Sequence, residues 1–371
     1  MKQNPTSITS RYSIILMLIL ALAKLSAQSR LISDTIVVNG AQRSYLLYIP
    51  AAYDGSEKWP LVISIHGYAV DNAFQMSFTQ MNVVADTEHF LLAYPQGTLM
   101  FSTVPGLPAQ GLGWNVGLDT DTAMVSPTQV NDVAFIQQLI DSIGTAYNVA
   151  AERIYATGFS SGAAMCYVLA CELGNKIAAI APVSGTAPLN RLCFPTRPVP
   201  VLHIHDTEDE FSNYATGNIY LGKPVTTTIQ FWVNQNHCAE QPVITGLPDL
   251  VSGDGTTVEL HQWQNCEAEV MHFKILGGGH QWPGGMNILP ILGNLSLDIN
   301  ASAEIWNFFK RQQLPTNAVH TLPSESYNIK VFPNPFSEQL YFNFELPKSA
   351  FVQLAVFNSL GSKCKFYTVG K

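Results

Sequence analysis

Apolar and polar positions change rhythm along the chain. Val37 and Val38, then residues 45–49, follow the alternation of half-buried strands, whereas 61–65 and 91–94 are continuous apolar runs as long as a strand covered on both faces. Val133, Ile136, Ile140, Ile143 and Tyr147 instead recur every three or four residues, which lays one apolar stripe along a helix. Just ahead of them, Ser126, Pro127 and Gln129 read as a cap, a first-position proline and a capping-box glutamine, so the helix is predicted to begin there. Strands over 153–157, 177–183, 199–204 and 271–276, with a helix over 162–173, continue the alternation. Strand, helix, strand in repetition predicts an α/β fold, a mostly parallel sheet with helices on both faces. Such a sheet presents its chemistry beyond the carboxyl ends of its strands.

The two ends break this rhythm. Residues 1–27 carry Lys2 and Arg11, an apolar run over 14–23, and Ala27 before Gln28, the order of a secretory signal peptide. The run is shorter than the ~20 residues of a membrane-spanning helix, so the expected destination is outside the cell or on its surface. From Pro315, a stretch with Asn317, Pro323, Ser324 and Ser326 reads as a linker over 315–326. Residues 327–371 then carry short strand patterns over 328–332, 339–345 and 352–357 between Pro, Asn and Gly turns, which predicts a small β-sandwich. The α/β domain is left with residues 28–314.

Composition narrows the function classes. With 47% hydrophobic and 12% charged residues the chain has the means to build a core, which excludes general disorder. Lys plus Arg number 19 against 27 Asp plus Glu, a net −8, and such a surface repels nucleic acid. In an oxidising compartment the six cysteines allow 15 full pairings; Cys171 with Cys193 and Cys238 with Cys266 would close local loops, leaving Cys166 and Cys364 as thiols. No Cys-x-x-Cys pair occurs, so a structural zinc site is not expected.

The chemistry gathers at three loops. Gly158-Phe159-Ser160-Ser161-Gly162 follows a predicted strand and opens a predicted helix, the setting of a nucleophile elbow that lifts a serine hydroxyl clear of the sheet. A serine needs a base within hydrogen-bond reach and a carboxylate to orient it. His280, in the glycine-rich loop 277–285 after a strand, is the expected base; His66, His203, His205, His237, His261 and His272 sit in strand or ordinary polar settings and read as structural. Past the strand 199–204, Asp209 is the preferred acid, Asp206 its competitor, and Glu208 and Glu210 read as solvated. The order Ser160, Asp209, His280 is that of α/β-hydrolases. Backbone N–H groups of Ser161 and of Tyr68, in the turn after a buried strand, are the expected oxyanion donors, and Tyr68, Trp114 and Trp282 the expected aromatic walls for substrate. The expected reaction is acyl transfer to water through an acyl-enzyme, and it calls for neither metal nor cofactor.

The strings around His66, Trp114-Asn115, Asn131-Asp132-Val133, 156–165, 199–209 and 277–285 together resemble the secreted polyhydroxybutyrate depolymerase-like esterases, which are similar to feruloyl and acetyl xylan esterases. The resemblance implies ester hydrolysis by Ser160, Asp209 and His280, disulfides Cys171–Cys193 and Cys238–Cys266, and a plant polysaccharide ester or a hydroxyalkanoate polyester or oligomer as substrate. Where that family has His-Gly-Thr-Ala-Asp, this chain has His205-Asp206-Thr207-Glu208-Asp209, which keeps both aspartates in contention. Separately, Val331 to Phe336 with its Pro333-Asn334-Pro335 core, 340–344 and 352–358 resemble the carboxy-terminal sorting domain of type IX secretion, which implies that secretion machinery as a partner. The same constellation would also serve a secreted serine peptidase, and the same fold stripped of turnover would serve a surface glycan-binding protein.

Overall fold

The computed structural model describes residues 28–117, 124–127, 130–189, 191–218, 221–287 and 290–315, together with strands beyond residue 329. The chain divides into two compact units with the boundary between Thr316 and Asn317. In the first, the elements run β1 (Arg30–Val38), β2 (Ala41–Ile49), β3 (Trp59–Ile65), α1 (Asn72–Thr79), α2 (Met81–Glu88), β4 (Leu91–Pro95), β5 (Thr98–Ser102), β6 (Gln110–Gly113), β7 (Met124–Val125), α3 (Asp132–Ala146), β8 (Val149–Phe159), α4 (Ser161–Glu172), β9 (Ala179–Val183), β10 (Val201–Asp206), α5 (Val225–Gln235), β11 (Pro242–Gly246), β12 (Thr257–Trp263), β13 (Val270–Leu276) and α6 (Ala301–Phe309). In the second, Lys330–Phe332 pairs antiparallel with Tyr341–Asn343, and Val352–Phe357 with Lys363–Val369. The signal-peptide segment, the Pro333-Asn334-Pro335 core and most of the linker lie outside the described residues.

Ten strands form the main sheet in the order β1-β2-β4-β3-β8-β9-β10-β13-β12-β11. The middle, β4 through β13, is parallel, and the flanking pairs are antiparallel. Because successive side chains of a strand point to opposite faces, the central strands divide their residues between two cores. Leu61, Ile63 and Ile65 join α3, α4 and α5 through Phe135, Met165 and Trp232. Val62, Leu92, Leu202 and Ile204 join α1, α2 and α6 through Phe78, Met81 and Trp306. This two-faced covering is why those strands read as unbroken apolar runs.

Three features depart from the sequence expectations. The helix of the 133–147 stripe starts at Asp132, capped by the Asn131 side chain, which accepts the Ala134 N–H at 2.9 Å; Met124–Val125 before it is a strand, and Thr128 and Gln129 lie outside the described residues. Asn131 offers the same side-chain acceptor as a serine cap and has Asp132 in the first turn behind it. A small antiparallel sheet, β6-β5-β7, grows from the loop after β4, and the short helices α1 and α2 fill the β3–β4 crossover. None of these carries an extended period.

Candidate active site

The carboxyl ends of β3, β8, β10 and β13 lie along one edge of the parallel sheet, with β9 between β8 and β10, and each leads directly into one of the loops singled out above. After β8 the chain turns at Ser160 with φ 54° and ψ −115°, a conformation that L side chains rarely occupy. The Ser160 N–H is held by the Val183 carbonyl at 3.0 Å, and α4 starts with the Ala164 N–H on the Ser160 carbonyl at 3.1 Å. Both motif glycines are required by contact. A Cβ on Gly158 would come within 2.6 Å of the Gly162 backbone, and one on Gly162 would strike the Ile65 carbonyl and approach that of His66 to 2.7 Å. The helix therefore sits against the end of β3 with no side chain between them.

His280 donates from Nδ1 to Asp209 Oδ2 at 2.7 Å. A carboxylate only accepts, so Nδ1 carries the proton, and in the neutral ring Nε2 keeps its lone pair, as the expected base requires. Asp209 is fully buried; its other oxygen accepts the N–H groups of Phe211 at 2.9 Å and Ser212 at 2.7 Å. Burial alone would raise its pKa, but His280 and these donors outweigh it and hold the carboxyl below the usual carboxylate range. Phe159 and Phe211 pack on the His280 ring, with centroids at 4.7 and 5.3 Å. Ser160 and His280 line the same cavity, of about 380 Å³, whose walls are mostly apolar and include Tyr68, Leu107, Trp114, Phe211, Leu221 and Ile291.

Asp206 does not reach His280. It is fully buried on β10, its Oδ2 lies 3.4 Å from Ser184 Oγ, and its Oδ1 has no partner. Burial and the charge of Asp209 push its carboxyl well above the ordinary range. Glu208 and Glu210 are exposed. Of the four carboxylates in this segment, the hydrogen-bond geometry picks out Asp209.

Tyr68 stands half-buried at the cavity, its hydroxyl donating to the Pro108 carbonyl at 2.9 Å. Ser161 lines the cavity as well, at the first turn of α4, where backbone N–H groups have no partner within the helix. The turn between them is fixed by His66, which donates from Nδ1 to the Gly67 carbonyl at 2.7 Å and accepts the Gly97 N–H on Nε2 at 2.9 Å. Burial depresses its pKa to about 4, so it is neutral. Trp114 lines the cavity while donating its indole N–H to the His66 carbonyl at 2.8 Å. Trp282 does not belong there: it is fully buried beneath the loop in the α1/α2/α6 core and donates to Ser302 at 3.1 Å. Its place in the glycine-rich loop gave the expectation of an aromatic wall, but the turn directs the ring inward.

Sequence reasoning missed Arg43, which forms a buried ion pair with Asp132 at 2.6 Å; Asp132 also accepts the Asn115 N–H at 2.7 Å. The signal was present, since Arg43 shares the inward parity of Tyr45, Leu47 and Ile49 on β2. Cys171 is bonded to Cys193 and Cys238 to Cys266, while Cys166 is a buried thiol. Among the described residues, no group of three or more His, Cys, Asp and Glu side chains is arranged to hold a metal ion.

This is an α/β-hydrolase fold with a serine at its elbow. Residues 52–243 match the phospholipase/carboxylesterase family, and the chain belongs to that family. It is 31% identical over 244 residues to the bifunctional acetylxylan esterase/xylanase XynS20E of Neocallimastix patriciarum, a match covering 65% of this chain and 31% of that protein. It is 27% identical over 251 residues to feruloyl esterase B of Piromyces equi, covering 64% and 42%. The chain thus spans well under half the length of these two relatives. Among solved structures, an acetyl xylan esterase from Aspergillus awamori superposes with a TM-score of 0.51 at 13% identity, over 75% of this chain and 99% of that one, a likeness of fold.

Proposed function

We propose that the protein is a secreted serine esterase that hydrolyses carboxylic esters through an acyl-enzyme. The observation that carries this reading is the 2.7 Å bond from His280 Nδ1 to the buried Asp209, beside a serine at a positive-φ elbow on the same cavity. His280 Nε2 takes the Ser160 proton as Oγ attacks the ester carbonyl. The N–H groups of Tyr68 and Ser161 receive the oxyanion. Collapse expels the alcohol, which leaves with the proton from His280; a water molecule then repeats the sequence and releases the acid. Base assistance of this kind contributes roughly 10²- to 10⁴-fold, and one oxyanion donor about 10²- to 10³-fold.

The apolar walls suit an aromatic or short acyl group, and relatives named as feruloyl and acetylxylan esterases support an ester of plant polysaccharide as substrate. A hydroxyalkanoate polyester or oligomer is the alternative implied by the depolymerase-like motifs. Residues 1–27 are proposed as the export signal, 315–326 as a linker and 327–371 as a sorting domain for type IX secretion; two disulfides in the first unit support passage through an oxidising compartment. The test is turnover of p-nitrophenyl acetate and butyrate with labelling by a fluorophosphonate. Ser160→Ala is expected to lose both turnover and label. Retained turnover, or label on another residue, overturns the reading. Rates on feruloyl, acetyl xylan and hydroxybutyrate esters then rank the substrates.

A further inference from the structure

Beside the carboxylate of Asp209 lies a row of buried groups that the mechanism above does not use. Tyr167 on α4, His203 and His205 on β10 are all at or below 1% exposure. The Tyr167 hydroxyl is 2.7 Å from His203 Nδ1, His203 Nε2 is 3.1 Å from His205 Nδ1, and His205 Nε2 is 2.7 Å from the Ser212 carbonyl and 3.5 Å from Asp209 Oδ2. Proton positions follow from the far end. A carbonyl oxygen only accepts, so His205 Nε2 carries a proton. Burial lowers the His205 pKa against the pull of Asp209 and so favours the neutral ring, whose Nδ1 then accepts from His203 Nε2. His203 Nδ1 in turn accepts from Tyr167. Every bond of the row points the same way, from the helix toward the turn that holds Asp209.

We infer that His205, fixed in its Nε2–H tautomer by Tyr167 and His203, is a positioning residue that holds the turn from Asp209 to Ser212 so that the carboxylate meets His280. The turn is gripped from two sides. Its own N–H groups at Phe211 and Ser212 close on Asp209 Oδ1, and His205 Nε2 holds the Ser212 carbonyl at 2.7 Å while lying 3.5 Å from Oδ2. A neutral imidazole does this without a counter-charge that would compete with His280 for the carboxylate. The tautomer matters because a His205 protonated on Nδ1 would turn a lone pair toward both the Ser212 carbonyl and the carboxylate, repelling the groups it now holds.

The inference rests on the esterase reading, and Ser160→Ala separates the two: turnover surviving that change would sink the reading itself. His205→Leu, read on p-nitrophenyl acetate, is expected to lower kcat roughly 10- to 100-fold with KM within about twofold, the scale of a misplaced reacting group. The low-field proton resonance of His280 Nδ1–H should shift or vanish with it. His205→Gln, whose amide nitrogen falls near the Nε2 position, should restore most of kcat and the resonance. If His205→Leu does not fold, Tyr167→Phe, which removes one oxygen atom, decides: a reduced kcat with a moved resonance is expected. The inference is overturned if the folded His205→Leu enzyme keeps its kcat and resonance, if His205→Gln is as impaired as His205→Leu, or if, in that fallback, Tyr167→Phe changes neither.

Discussion

On the β2 side of the cavity, Arg43 and Asp132 meet as a full ion pair with almost no exposure, and the Asp132 carboxylate reaches on to the Asn115 N–H beside Trp114. On the β10 side, the carboxylate of Asp209 accepts two backbone N–H groups and has beside it, at 3.5 Å, only the His205 end of a row of buried imidazoles. Both regions bury an aspartate, yet only one gives it an arginine. Where the carboxylate only supports a loop, a permanent cation satisfies it; burial still pushes the Asp132 carboxyl upward, against the pull of Arg43. In the proposed mechanism Asp209 stabilises a histidine that becomes cationic; a resident cation would cancel that effect, and backbone and imidazole N–H donors stand in its place.

The largest expected effect tests the acid side. Asp209→Asn should lower kcat by about 10⁴-fold on p-nitrophenyl acetate, as loss of the orienting carboxylate does in serine hydrolases. Asp206→Asn, an isosteric amide at a carboxyl that makes no hydrogen bond to His280, should stay within about threefold. Equal losses would erase the distinction between the two aspartates. On the ion-pair side the loss should appear in stability: Arg43→Met leaves a buried carboxylate unpaired and is expected to cost about 3–5 kcal/mol in denaturant unfolding, much of it regained in Arg43→Met with Asp132→Leu. Away from both regions, removing the Cys171–Cys193 bridge, which spans 22 residues, should cost about 3 kcal/mol by chain entropy, read as the shift between the unfolding curves of the wild type and a Cys171→Ala, Cys193→Ala variant.

The most gradual effect, spread over several pH units, concerns the buried histidines. His66 is depressed to about 4 and His272 to about 3, both mainly by burial, so each is neutral when folded and takes up its proton near 6.5 only when unfolded. Their contribution is full above pH 6.5 and is lost as the pH falls toward 4, with a slope of up to about 1.4 kcal/mol per pH unit for each. Unfolding free energies measured across pH 4–7 should therefore flatten in His66→Gln, and an unchanged slope would remove His66 from this account.

What was legible in the sequence follows from how local each signal is. The elbow could be read because Gly158, Ser160 and Gly162 answer to contacts within a single strand-turn-helix unit. The parallel sheet showed through because double-sided burial leaves unbroken apolar runs such as those of β3 and β4. Position past the strand favoured Asp209 over Asp206 without excluding the latter, because the 2.7 Å bond from His280 to Asp209 joins residues 71 positions apart, a separation no local pattern spans. Trp282 went astray for a related reason, since its neighbours in sequence lie at the site while its ring is turned into the core. The row from Tyr167 to His205 joins a helix to a strand 36 residues later, and alternation could say only that two histidines share one face.

Gly162 rests directly on the carbonyls of Ile65 and His66, and the chain runs from there into Tyr68. The nucleophile and one of its proposed oxyanion donors are thereby spaced by main chain against main chain, like two rails bolted to a common sleeper. Change in the surrounding surface can reshape which esters enter while this gauge stays fixed, and inserting even a methyl group at Gly162 would spread both rails together.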